Sequence, residues 1–298
     1  MFGWPIIGYL FLGGTGAGAF LLAVCGNLLD ALHPTEASSR RAEALNQGFI
    51  VAPIALVAGI VLLLMDLGNP DRIWGLLSQP FASVLGTGAV VLGSLCALSL
   101  AFLIYQVMAR SPRFAVNVGV YVVGGILAII TMSYTGLLLS RALCYDLWMT
   151  PWLVALFVAS SLSCGLAAIL VLYVGRGSAG RGLSKASGLA AFRGLALCLA
   201  LAELAILVVF LADRLAFGGT ADDSVRALLS GEFAGLFWVA LVGGGFAVPA
   251  IVNVAGYDTR LARWASWATL AASTSVLIGG LALRYLVVSA GIFAPLVI

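Results

Sequence analysis

Eight long apolar runs fill this 298-residue chain, and almost no polar sequence lies between them. Hydrophobic residues make up 62% of the composition and charged residues 9%. A water-soluble domain cannot cover that much apolar surface. A bilayer can, because about 20 apolar residues in a helix match its hydrocarbon thickness. The sequence therefore predicts an all-α polytopic membrane protein. Its spans are expected near Pro5–Leu32, Gln47–Leu67, Ser83–Met108, Phe114–Ser140, Pro151–Val174, Leu189–Phe217, Phe233–Ala255 and Leu261–Gly291. So little sequence remains outside them that sizeable catalytic machinery must sit on another polypeptide. The opening residues, Met1-Phe2-Gly3-Trp4-Pro5, carry no basic segment, so the first run is expected to be a retained span and not a secretory signal.

Loop charges predict the orientation. Loops after the odd-numbered spans carry ten cations: Arg40, Arg41, Arg110, Arg113, Arg176, Arg181, Lys185, Arg193, Arg260 and Arg263. The opposite loops carry four, Arg72, Arg141, Arg214 and Arg226, among Asp71, Asp146, Asp213, Asp222, Asp223 and Glu232. The positive-inside rule then sets both termini outside, in a bacterium on the outer side of the cytoplasmic membrane. A glycine- and serine-rich basic segment, 175–188, is expected to link a first four-helix bundle over 1–174 to a second over 189–298. On the outer side, Thr220–Glu232 has an amphipathic pattern, with Val225, Leu228 and Leu229 on one face of a short surface helix.

The net charge of +3 gives no ground for a nucleic-acid partner. The five cysteines, Cys25, Cys96, Cys144, Cys164 and Cys198, form no CxxC pair, which argues against a zinc or iron–sulfur site in this polypeptide. His33 is the only histidine. A transmembrane b-type haem needs two axial histidines, so a haem-bearing anchor is excluded.

What remains is the polar content of the spans. Asp66 lies within the second apolar run, before the helix-stopping Gly68-Asn69-Pro70, with Arg72 and Trp74 at the interface. It reads equally as an interfacial anchor paired to Arg72 and as a carboxylate at a cavity mouth. Tyr134 lies less than two turns from the end of the fourth span, flanked by Ser133, Thr135 and Gly136. Glu203 and Arg284 are the other intramembrane charges, costly unless paired or solvated, and an Arg284–Glu203 or Arg284–Asp66 pair is one structural explanation. The first span holds Gly13-Gly14-Thr15-Gly16-Ala17-Gly18. No strand precedes it, so it is not a dinucleotide fingerprint. Helix packing is its first reading and a wall for a flat ring its second.

Four stretches in order carry a resemblance to a family. They are Trp4-Pro5…Tyr9-Leu10-Phe11-Leu12-Gly13-Gly14-Thr15-Gly16-Ala17-Gly18, Asp66-Leu67-Gly68-Asn69-Pro70 with Arg72 and Trp74, Tyr134-Thr135-Gly136 with Leu138-Leu139-Ser140, and Gly279-Gly280…Leu283-Arg284 with Ala290-Gly291. Together they resemble the NrfD-like, polysulfide reductase membrane-subunit family from end to end. The resemblance implies two four-helix bundles and a haem-free anchor that exchanges electrons with menaquinone or ubiquinone. It also implies docking to a multi-cluster iron–sulfur subunit wired to a molybdopterin catalytic subunit, with the quinone ring held partly by Tyr134. An asparagine and a histidine that some relatives use near the start of span one are replaced here by residues such as Pro5 and Gly8.

From the residues, Tyr134 can bond one ring oxygen. Asp66 is the candidate proton acceptor, on the expectation that burial favours its protonated form. Arg284 could hold Asp66 ionised or polarise a carbonyl. The three are expected to line one pocket near the outer face, with Tyr9, Gly13, Thr15, Gly16 and Arg72 as further cofactor contacts. Glu203 and Asp213 are candidates for a proton path. A small-solute or proton-coupled transporter, or a purely structural anchor, remains the alternative, although Pro53 and Pro249 do not occupy matched positions as a transporter with broken helices would require.

Overall fold

The computed structural model describes residues 3–67, 84–109, 114–142, 145–176, 186–255 and 265–292. Eight helices in it are long and apolar enough to cross a membrane. In chain order, α1 is Trp4–Leu32, α2 a short surface helix Glu36–Leu45, α3 Gly48–Leu67, α4 Val84–Met108, α5 Phe114–Ser140, α6 Pro151–Gly175 and α7 Ala186–Phe217. Another surface helix, α8, is Gly219–Leu229. The seventh span, α9, runs without a break from α-helical Ala234–Leu236 through π-helical Phe237–Ala247 into α-helical Val248–Ala255, and α10 is Ala265–Ser289. A 3₁₀ turn, Asp146–Trp148, precedes α6. The molecule is a multi-pass membrane protein, and α2 marks one of its two sides. The other is called the far side.

Local chemistry explains the ends. Pro5 opens α1 and Pro151 opens α6, where a missing N–H costs nothing. Thr150 caps α6 by accepting from the Trp152 amide. Thr35 and Ser38 form a reciprocal capping box on α2. Pro53 lies inside α3 without ending it. The expected spans agree with the observed ones to a few residues, apart from the π-helical core of the seventh. Periodicity in an all-apolar run does not separate 3.6 residues per turn from a wider helix. Three consecutive glycines, Gly243–Gly245, sit in that core, where glycine weakens the α-helical preference.

The first span is the hub. α1 packs on α3, α5, α6 and α10, and α6 packs in turn on α5, α7 and α10. Close approach is made by small residues. A Cβ built on Gly18 would collide with the Ser161 carbonyl of α6, and one on Gly279 of α10 with the Gly245 backbone of α9. Lipid supplies no hydrophobic drive for helix association, so this contact of backbones through dispersion replaces it. Large apolar side chains such as Ile54, Ile126, Val208 and Ile278 are exposed and face the bilayer.

Segment 175–188 begins at the last residue of α6 and runs into the start of α7. Five spans therefore precede it and three follow, so it does not divide the molecule four and four. An equal division falls instead between α5 and α6. α6 packs on spans of both groups, on α1 and α5 as well as on α7 and α10. The amphipathic segment on the far side is α8. Val225 and Leu228 are buried, turned against α9, α7 and the 3₁₀ turn instead of against lipid headgroups.

Replacing Gly18 with valine is expected to destabilise the protein by about 1–3 kcal/mol or more through overpacking against α6. Gly93, whose added Cβ would meet nothing within 4 Å, should tolerate alanine. Thermal unfolding of both variants in detergent, followed by circular dichroism, checks the contrast.

Candidate functional site

Two tyrosines meet in the far-side half. Tyr9 lies five residues into α1 and Tyr134 six residues before the end of α5, so each sits about 8–9 Å below its helix terminus. Tyr9 is 2% exposed and Tyr134 8%. α4 makes room for the pair, because a Cβ on Gly88 would fall inside the Tyr134 ring. The two phenols face one another closely enough to interact. The Tyr9 hydroxyl nevertheless makes no hydrogen bond of proper geometry. A buried polar group without a partner costs about 1–3 kcal/mol and is rare in a folded protein.

Two of the residues flanking Tyr134 are engaged elsewhere. Thr135 Oγ1 donates to the Met132 carbonyl of its own helix at 2.7 Å. Gly136 packs on the Val154 backbone of α6. Asp66, at the last turn of α3, is within electrostatic reach of Tyr9 and lies beside Gly3. It is exposed at the rim, where the sequence predicts partial burial. Arg72, Gly68, Asn69, Pro70 and Trp74 lie outside the described residues.

Arg284 is set apart from these three. Its side chain is fully buried. Nε donates to the Leu10 carbonyl at 3.2 Å, Nη1 to Ser160 Oγ and to the Gly280 carbonyl, each at 3.0 Å, and Nη2 to Ser161 Oγ at 3.0 Å. The guanidinium also lies 5.6 Å from the Phe11 ring centre and 5.3 Å from that of Phe157. It is therefore turned to α1, α6 and its own helix, and not to Asp66. Four of its five donors are used within the helix bundle.

Glu203 is buried near the middle of α7, with Ser160 and Ser163 beside its carboxyl. Among the described residues Glu203 and Arg284 make no direct ion pair. Ser160, which accepts from Arg284, stands between them. Asp213, ten residues further along α7 and so about 15 Å away, belongs to a different structure. Its Oδ2 accepts from Thr150 Oγ1 at 2.9 Å and from Arg214 Nη2 at 2.7 Å. Arg214 Nη1 in turn donates to the Asp146 and Met149 carbonyls. The effect is to pin the turn before α6 at the far-side surface. These two acids thus share a helix but no contact.

The glycine motif of α1 is filled by protein. A Cβ on Gly16 would sit 2.9 Å from Leu56 Cγ and 3.1 Å from the Ala52 carbonyl of α3. One on Gly13 would meet Leu92 of α4 at 3.3 Å. No flat ring fits between such surfaces, and helix packing accounts for the motif. Thr15 is buried among the same helices, with its hydroxyl unpartnered. Two features are not evident from the sequence: the pairing of Tyr9 with Tyr134, and the slot at Gly88. Tyr9 has a visible signal, its depth matching that of Tyr134, whereas Gly88 is one of 36 glycines.

The family described as "Polysulphide reductase, NrfD" matches residues 1–295. The C subunit of the polysulfide reductase of Wolinella succinogenes is 31% identical, over 97% of the sequence described here and 93% of its own length. Protein NrfD of Escherichia coli is 28% identical, over 97% and 94%, and an NrfD homolog of Haemophilus influenzae is 27% identical, over 95% and 92%.

Replacing Arg284 with lysine keeps a charge but loses the planar fork. Ser161 or Leu10 then loses its donor inside the bundle, at a cost of about 1–3 kcal/mol. Asp66→Asn, at an exposed rim, should change stability by less than about 0.5 kcal/mol. Thermal midpoints of the two variants in detergent check the ranking.

Proposed function

The protein belongs to the polysulphide reductase NrfD family, and from that premise we propose that it is the membrane subunit of a multi-subunit oxidoreductase. In this reading it exchanges electrons between membrane quinol or quinone, menaquinone or ubiquinone, and an iron–sulfur partner subunit. A molybdopterin subunit carries the terminal chemistry. One relative is named as a lettered component of a polysulfide reductase, which fits a role as one polypeptide among several. The protein lies in the bacterial cytoplasmic membrane, with the far side outward.

The observation that carries the reading is the unpartnered hydroxyl of Tyr9, buried against Tyr134. Such a group suits a ligand oxygen. A quinol brings two electrons and two protons to whatever site holds it. Tyr134 and Tyr9 are the residues that would hold one ring oxygen, since a phenol can donate to it or accept from it. Asp66 sits at the rim, where it can pass a proton to bulk water. Arg284 acts at one remove, by fixing α1 through the Leu10 carbonyl, one residue from Tyr9. The partner docks on the far-side loops. Of these, residues 145–150 are held rigid by Arg214, and 219–229 form α8.

Two phenylalanine variants test this. Tyr9→Phe removes a group that has no partner, so stability should hold or rise slightly. Tyr134→Phe should also fold. Quinol oxidation by the assembled complex should nevertheless fall about tenfold in each, the worth of a hydrogen bond of about 1.4 kcal/mol. Unchanged turnover in both would leave only a structural anchor without a quinone site.

A further inference from the structure

A second polar feature lies away from the tyrosines. A partly open cavity lies between α6, α7, α9 and α10. Glu203 and Ser163 line its deep end, near mid-membrane. From there it extends past Ser273 to Leu170 and Asn253, which lie within about two turns of the α2-side ends of α6 and α9. Among the described residues, none at the far side lines it. The π-helical part of α9 contributes Gly245 to its wall.

Two observations point to what fills it. The Ser163 hydroxyl is nine-tenths buried and has no aligned partner, although the Glu203 carboxyl is close by. A water needs two to four polar partners, and Glu203, Ser163, Ser273 and Asn253 provide them along the length of the cavity. In addition, a carboxylate at this depth is expensive without solvation or a counter-charge. Among the described residues, the charged or titratable groups facing Glu203 are Arg284 of α10, screened by Ser160, and Cys164 of α6. α9 has no titratable residue at all over 234–255. Two other helices touching α7, α2 and α8, carry their charges at the two membrane surfaces.

We propose that this cavity is a hydrated well that brings protons from the α2 side of the membrane to the Glu203 carboxylate. A hydronium ion in the well gives one proton to the carboxylate, leaving a neutral carboxyl and a water, and no electron moves. Ser163 is the last relay before the acid. The well closes at Ser160 and Arg284, so it does not continue to the far side. This inference does not depend on quinone exchange at Tyr9 and Tyr134.

Sealed membrane vesicles of both orientations, holding the full-length protein, provide the test. Ser273→Cys should react with a positively charged methanethiosulfonate added on the α2 side and not with the same reagent added on the far side. The wild-type protein is measured in parallel to account for its own cysteines. Independently, dicyclohexylcarbodiimide, which couples to protonated carboxyls in apolar surroundings, should modify Glu203 of the wild-type protein, and Glu203→Gln should abolish that label. Once pH exceeds the titration of the acid, the labelling rate should fall about tenfold per unit as pH is raised on the α2 side. It should not respond to pH on the far side. A cysteine reached only by an apolar maleimide would make the cavity a lipid-filled groove and overturn the proposal. Labelling of Glu203 that follows far-side pH, or no labelling, would overturn it as well, whether or not the cysteine variant folds.

Discussion

One guanidinium, wholly withdrawn from solvent, joins three spans. Arg284 bonds the Leu10 carbonyl of α1, two serines of α6 and the Gly280 carbonyl of its own helix. An arginine inside a membrane persists only where such partners repay its desolvation. Those partners come within reach because α1 and α6 touch through Gly18, with no side chain between the backbones. The glycine motif and the buried charge are thus two halves of one arrangement. Small residues bring the helices together, and the arginine fixes their rotation.

That rotation has consequences on both faces of α1. Leu10 is held toward α10, so Tyr9, one residue earlier, is turned about 100° away, toward α5 and Tyr134. On the other side, Ser160 presents its hydroxyl both to Arg284 and to the Glu203 carboxyl. Among the described residues, the polar groups around α1 and α6 thus include two separate sets. One lies near the far side around two phenols. The other begins at Glu203 and leads toward α2.

Much of this is legible in the sequence. Composition alone requires membrane spans, and run length places their ends closely, because hydrocarbon thickness imposes the same length on every span. The buried charges can be named one by one because any charge there is conspicuous. Their partners cannot, because helix rotation decides them and an all-apolar run carries no readable periodicity. That is why Arg284 is expected beside Asp66 and is found among serines. It is also why Asp213 is grouped with Glu203 on sequence, although it holds the turn before α6 at the surface. Asp66 is expected to be partly buried and is exposed, because it lies in the last turn of its helix. The π-helix of α9 leaves no trace in the sequence beyond three glycines.

Arginine between the two polar sets has a physical implication. A guanidinium does not release its proton in a protein, so it cannot serve as a link in a proton relay. It can still transmit charge electrostatically. Neutralising Glu203 would leave Arg284 with less compensation and tighten its demand on the Ser160 hydroxyl and on the Leu10 carbonyl beside Tyr9. In a medium of low dielectric such an effect reaches further than it would in water. Arg284 therefore parts the phenol pair from Glu203 as a fixed charge and not as a carrier of protons.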